Sequence, residues 1–142
     1  QVFIHLNFGF ANLVVAVPDT WIDVQTIADL EEISFEFKDK NIGKLRVATK
    51  YPNLTNDFLL SKGLTQYKII NSLGSTEIYP FTDQSEIITD ITSTGSTLKA
   101  NKLRNLKDGN ILKSSACILV SKKSLIRKRK ELKLFLEKIK KI

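Results

Sequence analysis

The sequence predicts an α/β fold built on a mostly parallel sheet. Short apolar, β-branched runs alternate with helical segments at close spacing along the chain. There is no internal repeat and no low-complexity tract, which argues against a solenoid or a disordered chain. The 142 residues, 42% hydrophobic and 26% charged, suffice for one ordinary domain with a real core.

The elements follow in order. Leu13-Val14-Val15-Ala16-Val17-Pro18 reads as a buried strand ended by proline. Residues 20–32 carry Trp21, Ile22, Ile27 and Leu30 at weak helical spacing. Leu45-Arg46-Val47-Ala48-Thr49 is a second strand, running into the turn Tyr51-Pro52-Asn53 and a helix over about 54–61 that stops at Gly63. Tyr67–Ile70 is a third strand. Residues 75–82 form a short helix capped by Ser75 or Thr76. Glu86–Ile91 is a fourth strand, Thr94–Asn101 a helix, and 111–121 one or two further strands. The last element is helical. Leu125, Leu132, Phe135, Leu136, Ile139 and Ile142 fall near one face, with Arg127–Lys130, Lys133, Lys138, Lys140 and Lys141 covering much of the rest.

The net charge of +7 is local. Residues 122–142 hold ten Lys/Arg against two Glu; residues 1–121 hold twelve against thirteen acids. The basic segment reads as a terminal helix with a solvated cationic face, and neither a nucleic-acid nor a membrane partner is expected. Aromatics are not interleaved with the charges apart from Phe135. No apolar run approaches the ~20 residues needed to span a bilayer. The start at Gln1, with no signal-like order behind it, predicts a chain that begins inside a longer gene product. A lone cysteine, Cys117, within Ala116–Val120 is expected to be a buried structural thiol in a reducing cytoplasm. With His5 the single histidine, a Ser-His triad or a His-based zinc site has little to draw on.

The chemistry concentrates at Asp90-Ile91-Thr92-Ser93-Thr94-Gly95-Ser96-Thr97-Leu98. A strand delivers Asp90 to the sheet edge, where ligands of α/β sheets sit. A turn of small hydroxyl-bearing residues follows, and then a helix opens. Its first amides lack internal partners, and with the helix dipole they suit an anion. Gly95 lets a phosphate approach the backbone, and Ser93, Thr94, Ser96 and Thr97 offer hydroxyls. This is not the lysine-bearing P-loop, since no Gly-Lys-Ser/Thr follows. On the local pattern two readings stay open, a phosphate seat and simple helix capping, and Asp90 itself suits a turn cap.

The stretch Glu77–Leu103 resembles the signature of ATP phosphoribosyltransferases. In that family a Glu and five residues precede Gly-Leu-Ala-Asp, two apolar positions, an Asp, Ser-Thr-Gly-x-Thr-Leu and an Asn. Here Glu77 and five residues precede Asp83-Gln84-Ser85-Glu86, Ile88, Asp90, Ser93-Thr94-Gly95-Ser96-Thr97-Leu98 and Asn101. Arg46–Thr55 resembles the family's strand-turn-helix segment. Phe8-Gly9-Phe10 through Pro18 resembles its hinge and the first strand of its second lobe, and Ser114-Ser115-Ala116 its returning strand.

The resemblance implies a bilobal fold like periplasmic solute-binding proteins, with 1–10 as hinge and remnant of the first lobe, 11–107 as the second lobe, and 108–142 as the return to the incomplete first lobe with its terminal helix. It implies transfer of phosphoribosyl from phosphoribosyl pyrophosphate to N1 of the adenine of ATP, releasing pyrophosphate with magnesium present, as the first step of histidine biosynthesis. Ser93, Thr94, Gly95, Ser96 and Thr97 would hold the 5′-phosphate, Asp90 would meet the ribose hydroxyls, and Glu77 is the motif's leading acid with an open role. No covalent nucleophile is needed. The family's N-terminal lobe, with its Lys-Gly-Arg loop, is expected to be missing, so the 142 residues alone should turn over little. The absence of a regulatory domain after the basic helix resembles the short form, which works in the cytoplasm with a histidyl-tRNA-synthetase-like subunit as an oligomer. Asp83 in place of glycine should weaken electrostatics if it faces the site. The rival reading is a non-catalytic small-molecule-binding module of periplasmic-binding-protein type.

Overall fold

A computed structural model describes residues 2–139, which divide into two compact units. The larger, Ala11–Ser114, is a five-stranded sheet with helices on both faces. Its strands are β2 (Ala11–Pro18), β3 (Leu45–Thr49), β4 (Tyr67–Asn71), β5 (Ile87–Thr92) and β6 (Leu103–Ser114), in the order β4-β3-β5-β2-β6. Strand β3 pairs parallel with β4 and β5; β2 runs antiparallel to both β5 and β6. Four strands therefore point one way and β2 points back, which makes the sheet mixed in its pairing while mostly parallel in direction.

Burial on both faces explains the continuous apolar runs. In β2, Val15 and Val17 join one core cluster, Val14 and Ala16 the other; Val47 and Ala48 of β3, and Ile87 and Ile88 of β5, divide the same way. The first cluster is covered by α1 (Ile27–Asp39) and α2 (Pro52–Ser61) through Ile27, Leu30 and Leu59. The second is covered by α3 (Ser96–Ala100) and a 3-10 helix (Thr76–Phe81) through Leu98 and Tyr79.

Several expectations shift for local reasons. Helix α1 lies later than the weak spacing over 20–32 suggests, because Thr26 and Asp29 form a capping box that opens it at Ile27. The helix over 75–82 is of 3-10 type, with Pro80 inside it removing a donor. The helix after Gly95 is five residues rather than eight. Strand β6 begins at Leu103, not near 111, and pairs with β2 as far as Ala11↔Ser114. The boundary expected between 107 and 108 thus falls inside a strand, and the units divide at Ser114/Ser115.

The smaller unit joins the described part of 1–10 to 115–139. Here β1 (Val2–His5) pairs antiparallel with β7 (Cys117–Leu119), and the backbones of Leu6 and Phe8 bond to Ala116. Gly9, at φ 65°, lies so close to Ala116 that an added Cβ would stand 3.1 Å from its Cβ. The expected single terminal helix is two, α4 (Lys122–Arg127) and α5 (Arg129–Ile139), interrupted at Lys128; the expected positions at 140–142 lie outside the described residues. Phe3, Leu125, Leu132 and Leu136 line a shallow apolar groove. Cys117 is exposed, contrary to expectation. In β7 only the middle residue is partly covered, because alternate residues of a strand face opposite ways.

Candidate functional site

Because β3, β4 and β5 are parallel, their carboxyl ends lie at one edge of the sheet and carry the segments 49–51, 71–75 and 92–96. Asp90 is partly exposed near that end of β5, opposite Val14 of β2. One carboxylate oxygen accepts the amide of Ile91 at 2.8 Å.

The turn that follows shapes itself. The buried Thr92 accepts the Gly95 amide on its Oγ1 at 2.9 Å. Gly95 sits at φ 78°, a left-handed conformation that glycine adopts without a Cβ penalty. Thr94 Oγ1 lies 2.8 Å from Ser96 Oγ and accepts the Ser96 amide at 3.3 Å. Ser93, Thr94, Ser96 and Thr97 are exposed. Two of the loop amides are therefore taken by the loop's own threonines. With only five residues in α3 the macrodipole contributes little, so what the loop presents to solvent is its exposed hydroxyl-bearing residues rather than a long helix end.

Glu77 stands apart from this loop in the chain. It lies, half-buried, in the first turn of the 3-10 helix, which packs on β5 and β3. Among the described residues there is no group of three or more His, Cys, Asp or Glu arranged to hold a metal.

The substituted motif Asp83-Gln84-Ser85-Glu86 occupies the opposite end of the sheet. Asp83 takes φ 55°, a conformation that suits the glycine of the family pattern. Arg46 Nη2 reaches Asp83 Oδ1 at 2.9 Å and Glu86 Oε1 at 2.6 Å, its Nε reaches Glu86 Oε1 at 2.9 Å, and its Nη1 donates to the Asp83 carbonyl at 2.9 Å. The Arg46 amide completes the clamp on Glu86 Oε2 at 2.6 Å. Glu86 first and Asp83 second hold the guanidinium pKa above its ordinary value. Six residues of β5 separate this cluster from the hydroxyl loop, roughly 20 Å of strand. Asp83 lies at the far end of β5 from the loop and does not face it. Arg46 is occupied structurally.

Thr49, Thr55 and Thr89 do not stand out in the sequence as a group. All three are fully buried, and their hydroxyls bond to one another beneath the carboxyl ends of β3 and β5. The available signal was polar residues in otherwise apolar strands at the same register, Thr49 opposite Thr89.

A family model described as HisG, ATP phosphoribosyltransferase, matches residues 1–141. The chain belongs to the ATP phosphoribosyltransferase family. The ATP phosphoribosyltransferase of Chelativorans sp. (strain BNC1) is 50% identical over 124 residues, covering 87% of this chain and 54% of that protein. That of Mesorhizobium japonicum is 47% identical over 125 residues, again 87% and 54%. The chain thus spans about half the length of the curated relatives it matches. Among solved structures, the ATP phosphoribosyl transferase (HisG:HisZ) complex from Thermotoga maritima aligns with TM-score 0.71 and 30% identity over 99% of this chain and 60% of that one. The probable amino-acid ABC transporter extracellular-binding protein of Bacillus subtilis aligns with TM-score 0.57 at 11% identity, over 99% of this chain and 59% of that one. The latter likeness shows the fold alone and agrees with a periplasmic-binding-protein-like architecture.

Proposed function

We propose that this chain contributes the phosphoribosyl pyrophosphate seat of an ATP phosphoribosyltransferase, which condenses ATP with phosphoribosyl pyrophosphate to give N1-(5-phosphoribosyl)-ATP and pyrophosphate at the start of histidine biosynthesis. The observation that carries the reading is the exposed Ser93–Thr97 loop, with left-handed Gly95, directly beyond Asp90 at the carboxyl end of β5. The hydroxyls of Ser93, Thr94, Ser96 and Thr97, with main-chain amides at the start of α3, would bind the 5′-phosphate, and Asp90 would accept from the ribose hydroxyls. The work of these residues is to bind and orient, and no nucleophile is required of them.

Magnesium fits as an ion carried mainly by the substrate's diphosphate, with Asp90 as the carboxylate the loop offers, since this ion keeps waters and takes few protein carboxylates. When bound it would offset the charge of the departing pyrophosphate. A histidyl-tRNA-synthetase-like regulatory subunit, an oligomeric state and a cytoplasmic setting belong to the same proposal. In support, the Thermotoga relative was solved as a HisG:HisZ complex, and no described helix is long and apolar enough to cross a membrane. The non-catalytic binding-module reading is not favoured: relatives at 47–50% identity are ATP phosphoribosyltransferases, whereas the solute-binding likeness is at 11%.

Calorimetric titration of the chain with phosphoribosyl pyrophosphate and magnesium tests the proposal. Saturable binding, competed by ribose 5-phosphate, is expected; absence of binding refutes it.

A further inference from the structure

Three hydroxyls close a ring under the sheet's carboxyl edge. Thr49 ends β3, Thr55 lies in the first turn of α2, and Thr89 precedes Asp90 in β5. The Oγ1 separations are 3.1 Å for Thr49–Thr55, 2.7 Å for Thr55–Thr89 and 2.6 Å for Thr89–Thr49, and all three residues are 0% exposed. Each hydroxyl owns one proton, so the ring is satisfied when the bonds run one way round, Thr89 to Thr49, Thr49 to Thr55, Thr55 to Thr89. Thr49 Oγ1 additionally accepts the Tyr51 amide at 2.9 Å.

Valines would fill the same space with no buried donor to satisfy, so apolar packing alone does not account for the ring. Short directional bonds fix relative position more sharply than apolar contact does. The segments they join are those that continue to the site: β3 into the Tyr51-Pro52 turn, and β5 into Asp90 and the hydroxyl loop. Parallel neighbours stand roughly 4.8 Å apart, so a ligand wider than that spacing, seated on the loop, reaches the end of β3.

We infer that Thr49, Thr55 and Thr89 are positioning residues of the phosphoribosyl pyrophosphate site, holding the Tyr51-Pro52 turn at a fixed offset from Asp90. This rests on the function proposed above. The test compares Thr49→Val, which keeps shape and loses the hydroxyl, with Thr49→Ser, which keeps the hydroxyl and loses a methyl. Phosphoribosyl pyrophosphate affinity and amide exchange at Tyr51 are measured in the full chain. Thr49→Val is expected to weaken binding about tenfold, the equivalent of one buried hydrogen bond, and to speed Tyr51 exchange. Thr49→Ser is expected to keep both near the unsubstituted values despite a lower Tm. Unchanged affinity in Thr49→Val, or losses in both variants that merely follow Tm, would overturn the inference. If the unsubstituted chain binds no phosphoribosyl pyrophosphate, the functional proposal fails. Exchange in the free chain still decides the ring: faster in Val but not in Ser supports it, and unchanged in Val overturns it. Should Thr49→Val not fold, Thr89→Val against Thr89→Ser makes the same comparison.

Discussion

Arg46 grips Glu86 from three sides: Nε and Nη2 contact one carboxylate oxygen at 2.9 and 2.6 Å, and the backbone amide contacts the other at 2.6 Å. The Glu86 side chain is 16% exposed, while the second acid, Asp83, is 97% exposed. The two partners are therefore unequal. Glu86→Ala leaves a half-buried guanidinium short of its partner and should cost about 2 kcal/mol, between the surface and buried limits for ion pairs. Asp83→Ala should cost less than about 1 kcal/mol. Chemical denaturation measures both, and neither should change phosphoribosyl pyrophosphate affinity, because the cluster sits at the far end of β5 from the loop.

Ser85 is 2% exposed and its hydroxyl has no partner among the described residues. The family pattern has alanine at this position. Ser85→Ala removes an unsatisfied buried group and should raise stability by about 1 kcal/mol. A lower denaturation midpoint in the variant would show that the hydroxyl is satisfied in solution.

Gly95 and Gly109 should fail in different ways when replaced by alanine. At Gly95 an added Cβ meets nothing within 4 Å, but φ 78° strains any L side chain. The cost should be about 1 kcal/mol, accompanied by weaker phosphate binding where the backbone must be approached. At Gly109 the Cβ would stand 3.0 Å from Leu106 Cβ and 3.1 Å from the Val15 carbonyl oxygen. Overpacking between β2 and β6 should cost about 1–3 kcal/mol and leave the affinity of the folded protein unchanged. Denaturation and titration of the two variants separate a site glycine from a packing glycine.

Asp29 gives acid dependence to the start of α1. The Gln25 amide, then the Thr26 amide and hydroxyl, donate to its Oδ2 at 2.7, 2.7 and 2.9 Å and hold its carboxyl below the ordinary range. A depressed folded pKa stabilises above the unfolded value of about 4 and is lost as pH falls through the folded value. Tm measured from about pH 5 down to about pH 2 should fall less steeply in Asp29→Asn than in the unsubstituted chain.

The strands were legible because β2, β3 and β5 are apolar on both faces, and the hydroxyl loop was legible because small residues and one glycine follow a strand that ends in Asp90. Other features depend on distant partners. Residues 33–38 alternate apolar and polar, Ile33-Ser34-Phe35-Glu36-Phe37-Lys38, which obscures a helix that the Thr26–Asp29 box opens. Polar residues fill much of 103–110, yet this stretch is strand because β2 supplies its ladder. The fate of Asp83 turned on Arg46, 37 residues away in the chain, and the threonine ring on a strand register that composition does not display.

Pyrophosphate release by the 142 residues with ATP and phosphoribosyl pyrophosphate should be little or none, since the chain spans about half the length of its enzyme relatives. Robust turnover would mean that the site is complete within these residues.

The role proposed for the Ser93–Thr97 loop is to seat the sugar phosphate. Amide NMR of the labelled chain during titration with phosphoribosyl pyrophosphate tests it most directly. Saturating shifts are expected at Thr94 through Leu98 and at Ile91, with Arg46 and Glu86 unmoved. Shifts confined to the Arg46 end of the sheet, or none anywhere, would contradict it.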